Sequence, residues 1–208
     1  MSRHGLFIVF EGIDGAGTTT QCERYARHLR SLRRPVHVTH EPSTGPIGSL
    51  LRLGLSGRVD LGGAHTMALL FAADRLDHAA QEIDPHLRDG TVVICDRYDM
   101  SSIAYQTATA PEAEAEAFAA WVRSLNRYAP RPDVVVVLDT DPDVAERRRA
   151  TRHGRPELFE ETELQRRLAA LYREPERLAP EDRVLRVDGD PDAEVVGAAV
   201  RDALAPFL

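Results

Sequence analysis

A wholly apolar run, Leu6-Phe7-Ile8-Val9-Phe10, leads into a loop carrying Gly12, Gly15 and Gly17, and the loop opens a helical pattern near Thr19. A strand without polar alternation is one buried on both faces, as in the middle of a parallel sheet. Glycine admits the positive φ values that a tight wrap requires. The first N–H groups of a helix have no carbonyls of their own to meet, so such a wrap presents them to an anion. Gly12-Ile13-Asp14-Gly15-Ala16-Gly17-Thr18-Thr19 therefore reads as a phosphate-binding loop of the Walker A kind, continued into the helix by Thr20. Thr19 occupies the position of the hydroxyl that meets Mg2+. One position departs: Thr18 stands where the pattern has lysine. A glycine-rich turn holding no phosphate is the plainer alternative, and the strand–loop–helix setting weighs against it.

The same alternation runs along the chain. Strands are expected at residues 6–10, 36–39, 91–95, 134–138 and 183–187, with helices at 19–33, 64–88 and 193–204 and helical signals across 99–128. Strands alternating with helices give a parallel sheet, so the expected fold is a three-layer α/β/α P-loop NTPase fold with about five strands. One domain, residues 1–208, is within ordinary size. The charge-dense stretch 147–161 contains His153-Gly154-Arg155-Pro156 and reads as a mobile lid loop, about 147–160, between two helices.

Composition narrows the partners. The formal net charge of -7 weighs against non-specific binding to nucleic acid, which needs a basic face. No apolar stretch approaches the roughly 20 residues that cross a bilayer. The chain enters its first strand almost at once, so no signal peptide is expected and the cytoplasm is the expected compartment. Cys22 and Cys95 lack metal-site spacing and are expected to be buried small hydrophobes.

Beyond the loop, four ordered blocks resemble the thymidylate kinase family. They are Phe10-Glu11-Gly12-Ile13-Asp14-Gly15-Ala16-Gly17, then Leu70-Phe71-Ala72-Ala73-Asp74-Arg75, then Asp96-Arg97-Tyr98 with Ser101-Ser102-Ile103-Ala104-Tyr105-Gln106, and last Pro132-Asp133 through Leu138-Asp139 and Pro142. The resemblance implies an enzyme that binds ATP with Mg2+ and phosphorylates dTMP. Phe71 and Arg75 are four apart and share a helix face. By resemblance Phe71 stacks on thymine and Arg75 donates to its carbonyl oxygen. Tyr105 is expected under the deoxyribose, with Ser102 and Gln106 making polar contacts near the base. Asp14 is expected at the sugar 3′-hydroxyl or a phosphate-bound metal. Asp96 and Arg97 fall at the carboxyl end of a buried strand, where ligands of open α/β sheets gather. Asp96 can hold Mg2+ through water, and Arg97 can bridge the acceptor phosphate and the moving phosphoryl group. Glu41 and Pro42 are expected to cover the acceptor site, although His40 before them and Ser43-Thr44-Gly45 after them depart from the family's pattern.

Thr18 leaves a charge missing, because a neutral hydroxyl cannot do what an ammonium does beside a leaving phosphoryl group. The candidates to supply it are Arg149, Arg152 and Arg155. The arginine the family places in the lid ending is Leu158 here. The resemblance also implies a homodimer, to which the apolar face of residues 67–71 is a candidate contributor, and an adenine site near Asp188-Gly189-Asp190-Pro191. Two other readings stay open: a related kinase with another nucleotide acceptor, and a nucleotide-binding protein with weak or lost kinase activity. A dinucleotide-binding oxidoreductase is excluded by glycine spacing.

Overall fold

The structure is a computed structural model, and it describes residues 5–151 and 161–208. Five strands form one parallel sheet: β1 (Phe7–Gly12), β2 (Val36–His40), β3 (Val92–Asp96), β4 (Val134–Asp139) and β5 (Val184–Asp188), in the order β2-β3-β1-β4-β5. All five expected strands are present. Every residue of β1 is buried, and so are the four consecutive valines of β4. Side chains alternate between faces along a strand, so burial at every position means that both faces are covered. Branching at Cβ suits valine to that pleated, packed surface.

One cover is made by α1 (Thr18–Ser31) and α10 (Ala193–Leu204), which pack on each other. The other contains α5 (Asp99–Thr109) and α8 (Thr162–Tyr172), with α3 (Ala64–His78) and α6 (Ala115–Leu125) packed on α5. This is the expected three-layer arrangement.

Four features differ from the sequence expectations, each for a local reason. The helix read over 64–88 is interrupted: α3 passes through a π turn, Ala79–Ile83, into α4 (Asp84–Arg88). Pro85 has no N–H, and its ring collides with the carbonyl four residues back, so the backbone widens there. The helical signals over 99–128 split in two at Pro111. Ala110 before it has ψ 153, the extended geometry that a following proline imposes. Helix α2 (Pro46–Leu55), opened by a proline at its first turn, had no counterpart in the sequence reading. Finally, the front of the expected lid loop is helical. Residues 147–150 are the end of α7 (Pro142–Ala150), whose arginines at the carboxyl terminus suit the helix dipole. Arg152, Arg155 and Leu158 lie outside the described residues.

Register brings the carboxyl ends of three strands to one level. Phe10 pairs with Asp96, and Asp96 pairs with His40. Two further bonds extend the ladders by a residue: the Arg97 N–H donates to the Phe10 carbonyl at 2.8 Å, and the Glu41 N–H donates to the Asp96 carbonyl at 3.1 Å. The end of β1, Arg97 and Glu41 are thereby set side by side on the edge where the phosphate loop begins.

Candidate active site

The loop between β1 and α1 is held in shape by its glycines. Gly15 has φ +91 and Gly17 has φ +96, both in the left-handed region. A Cβ on Gly15 would lie 2.4 Å from the carbonyl oxygen of Ala145 in α7, so the loop and that helix touch backbone to backbone. Gly17 caps α1 without a side-chain bond, and the first turn holds no acidic residue. The N–H groups of Thr18, Thr19 and Thr20 thus begin a helix left open to an anion. Ile13 and Ala16 are buried beneath the wrap, and so is Thr18. Thr19 and Thr20 face solvent.

Three arginines touch this loop, one from β3 and two from α7. From the end of β3, Arg97 Nη1 donates to the Gly12 carbonyl at 2.9 Å, and Nη2 meets Asp14 Oδ1 at 2.6 Å. Arg97 adopts φ +68, a left-handed conformation that costs a non-glycine residue about 1–3 kcal/mol. From α7, the Arg149 guanidinium donates to the Asp14 carbonyl. Its neighbour Arg148 spans the phosphate loop and the β5 loop: it donates to the Ala16 carbonyl at 3.4 Å and to the carbonyls of Gly189, Asp190 and Pro191 at 2.8–3.0 Å. Of the three arginines proposed to offset Thr18, the described one is therefore at the loop.

Beside the loop opens a cavity of about 210 Å³. Its lining brings together Asp14, Glu41, Pro42, Phe71 and Arg75 from the first half of the chain with Arg97, Ser102, Tyr105 and Gln106 from the second. These are all nine residues expected at the acceptor site. Arg75 is buried and forms an ion pair with Glu41 at 2.7 Å. It also donates to Asn126 Oδ1 at 2.5 Å and to Ser102 Oγ at 2.9 Å. Its Nε has no hydrogen-bond partner among the described residues. A buried donor left over in a cavity wall suits a ligand that brings a carbonyl oxygen. The guanidinium carbon of Arg97 lies 5.3 Å from the ring centre of Tyr105, within cation–π range.

The match to known proteins follows the same ground. A family profile described as thymidylate kinase matches residues 10–200. The chain belongs to the thymidylate kinase family. A probable thymidylate kinase of Thermococcus gammatolerans is 37% identical over 213 residues, 97% of this chain and 99% of its own. A thymidylate kinase of Verminephrobacter eiseniae is 39% identical over 214 residues, 98% of this chain and 92% of its own. A probable thymidylate kinase of Pyrobaculum calidifontis is 43% identical over 167 residues, 80% of either chain.

Several contributors to the site were missed in the sequence. Leu55, Tyr98 and Ser101 also line the cavity. Leu55 belongs to α2, which carries no clear signal in the sequence, whereas Tyr98 and Ser101 lie within the block that follows β3. Gln165 of α8 is fully buried and grips Asp14 twice: its Oε1 accepts from the Asp14 N–H at 3.0 Å, and its Nε2 donates to Asp14 Oδ2 at 2.8 Å. A lone glutamine on a charged helix carries no signal of this in one sequence. The apolar face of residues 67–71 is also not a single surface. Met67 and Ala68 are buried and Phe71 lines the cavity, while Leu69 and Leu76 face outward.

Thr19 Oγ1 donates to Asp96 Oδ2 at 2.5 Å, and Asp96 Oδ1 is buried without a hydrogen-bond partner among the described residues. A hydroxyl and a carboxylate with an unused oxygen fit a hard divalent cation that takes its other ligands from phosphate and water. Among the described residues no cluster of three or more His, Cys, Asp or Glu side chains encloses such an ion. Nor is any of the described helices long and apolar enough to cross a membrane.

Glu11 is the one acid inside β1, and no part of it is exposed. Burial pushes its carboxyl up to about 7 from the ordinary 4.5, against the opposing pull of the Ser101 hydrogen bond and the Arg97 charge. With the native value raised, the folded protein holds between these two values a proton that the unfolded chain has released. The stability this supplies is complete below the unfolded value and is lost as pH rises through the folded one. Compared with Glu11→Gln, the wild type should lose up to about 3 kcal/mol between pH 5 and pH 8. Denaturant melts of both proteins at the two pH values check this, and a pH-independent difference would mean an ordinary carboxylate.

Proposed function

We propose that this chain is a thymidylate kinase that transfers the γ-phosphoryl group of ATP to dTMP, giving dTDP and ADP. The observation that carries the reading is the position of Arg97, one side chain that reaches both the phosphate loop and the wall of the adjoining cavity. Family membership supports the same reaction.

In this reading the N–H groups of residues 12–20 receive the ATP phosphates, and dTMP enters the cavity. Phe71 stacks on thymine, and Arg75 Nε donates to a base carbonyl while Glu41 holds its charge. Ser102 and Gln106 complete the polar contacts. Tyr105 lies beneath the deoxyribose and crowds the place of a 2′-hydroxyl. Pro42 closes the wall beside Glu41, and Asp14 meets the 3′-hydroxyl. A phosphate oxygen of dTMP, already anionic, attacks the γ-phosphorus in line as the bond to ADP breaks, so no covalent intermediate is required. Arg97 exchanges its loop contacts for both phosphates and offsets the charge that develops between them. Mg2+ carried by the triphosphate would meet Thr19 and Asp96 and supply further positive charge there. The adenine lies toward residues 188–191, on the loop that Arg148 holds. The enzyme acts in the cytoplasm as a homodimer, with exposed Leu69 and Leu76 among the surfaces available to a second copy.

The reading is tested by ADP release and dTDP formation with Mg·ATP and a panel of nucleoside monophosphates. The expected result is turnover with dTMP well above that with dCMP, UMP or dGMP, and a loss of about 10²–10³ in kcat in Arg97→Ala. Preference for another acceptor would favour a related kinase.

Thr18 favours a second reading, a nucleotide-binding protein with impaired transfer. Arg149 bears on this, because it reaches the loop from α7 while Thr18 is buried. If Arg149 supplies the charge, Thr18→Lys should raise the turnover of Arg149→Ala several-fold more than it raises that of the wild type. Equal effects in both backgrounds would remove Arg149 from this role.

A further inference from the structure

Glu11 has no part in the reaction as described, yet it is a carboxyl group set in the most buried strand of the sheet. Burying such a group is unfavourable unless its surroundings answer it closely. Here they do. Oε1 accepts from the Tyr98 N–H at 2.8 Å and from the Ser101 N–H at 3.1 Å. Oε2 accepts from Ser101 Oγ at 2.5 Å and from the Tyr172 hydroxyl at 3.0 Å. Four hydrogen-bond donors converge on one side chain.

The donors are placed around Arg97. Tyr98 is its immediate neighbour and the N-cap of α5, and it offers that helix no side-chain cap of its own. Ser101 lies one turn into α5, and its hydroxyl accepts from Arg97 Nη1 at 3.1 Å. Glu11 thus does for α5 what an N-cap side chain would do, but from a different strand. The backbone just before that cap is where Arg97 takes its left-handed φ. Tyr172 comes from the far end of α8, and its hydroxyl also lies 2.9 Å from Ser101 Oγ. The carboxylate therefore fastens β1, the turn after β3 and α8 at one point, directly behind the guanidinium that faces the cavity.

We infer that Glu11 is a positioning residue: by capping α5 and orienting Ser101, it holds Arg97 in the strained conformation that lets its guanidinium reach both the phosphate loop and the cavity. It touches neither nucleotide and acts through Arg97. A role confined to stability would lower the amount of folded protein and leave the turnover of each folded molecule intact.

The inference rests on the phosphoryl-transfer reading, and the test keeps the two apart. Wild type, Glu11→Gln, Arg97→Lys and the double variant are assayed for kcat and for the KM of each nucleotide, well below the unfolding transition of each protein. Glu11→Gln should lower kcat at least about tenfold and leave the KM for ATP within about threefold, because the loop N–H groups are untouched. In the Arg97→Lys background the same change should cost less than about threefold, since residues that act through one another are not additive. Wild-type kcat in folded Glu11→Gln, or full independent losses in the double variant, would overturn the inference. Should Glu11→Gln fail to fold, Tyr172→Phe removes one donor from Oε2 and enters the same cycle. A fall of about threefold is expected with Arg97 present and none with Arg97→Lys, and the absence of any fall counts against Glu11. An inert wild type would count against phosphoryl transfer itself. The crystal structure of Glu11→Gln or Tyr172→Phe would then decide the positioning, a guanidinium unmoved from Gly12 and Asp14 overturning it.

Discussion

The contact between Arg97 and the phosphate loop is the constraint on which the rest of this site depends. One guanidinium joins the carbonyl of Gly12 to the carboxylate of Asp14, and it stands on a residue whose backbone is strained. Strain of this kind persists only where neighbouring structure over-determines it. The neighbours here are the ladder bond from the Arg97 N–H to Phe10, the Glu11 carboxylate beneath the start of α5, and Gln165 on the other oxygen of Asp14. Two parallel strands and two helices therefore agree on where a single positive charge should be. Preorganisation of this sort is what phosphoryl transfer asks of a protein, since positioning and charge carry most of the catalysis.

The Arg75–Glu41 pair is governed by a different balance. Both side chains are almost fully buried, so their mutual attraction has to offset the loss of two hydration shells. Asn126 and Ser102 answer two of the guanidinium's remaining donors, and Nε is left over. A pair like this adds little net stability, although removing one partner is expensive. In the proposed reaction its value lies in presenting the Nε donor to the base. Substrates that cannot answer such a donor are rejected far more strongly than those that merely differ in size.

Much of this was legible in the chain itself, for physical reasons. The five strands announce themselves because a sheet covered on both faces needs unbroken apolar runs such as Val134-Val135-Val136-Val137. The loop announces itself because only glycine takes the φ of Gly15 and Gly17 without strain. Most of the nine cavity residues came from resemblance; spacing adds only the helical pairing of Phe71 with Arg75, and position at a strand end adds Arg97. What stayed hidden depends on distance in sequence. Gln165 meets Asp14 across 151 residues and Tyr172 meets Glu11 across 161, and neither contact leaves a local pattern. Helix ends were misjudged where one residue changed the geometry, as Pro85 and Pro111 did. The division of labour among the α7 arginines was equally invisible, because Arg148 and Arg149 are adjacent and identical, and only the fold sends one across Ala16 to the β5 loop and the other to Asp14.

In the proposed reaction two nucleotides meet end to end across Arg97. The most direct measurement is the affinity of a single molecule built to fill both sites, adenosine and thymidine joined 5′ to 5′ by five phosphates, determined calorimetrically with Mg2+. One molecule is expected to bind per chain, about 10²-fold or more tighter than either ATP or dTMP alone, with most of that gain lost in Arg97→Ala. Affinity no better than that of the stronger single nucleotide would mean that the loop and the cavity do not face one another across Arg97, and the account would be contradicted.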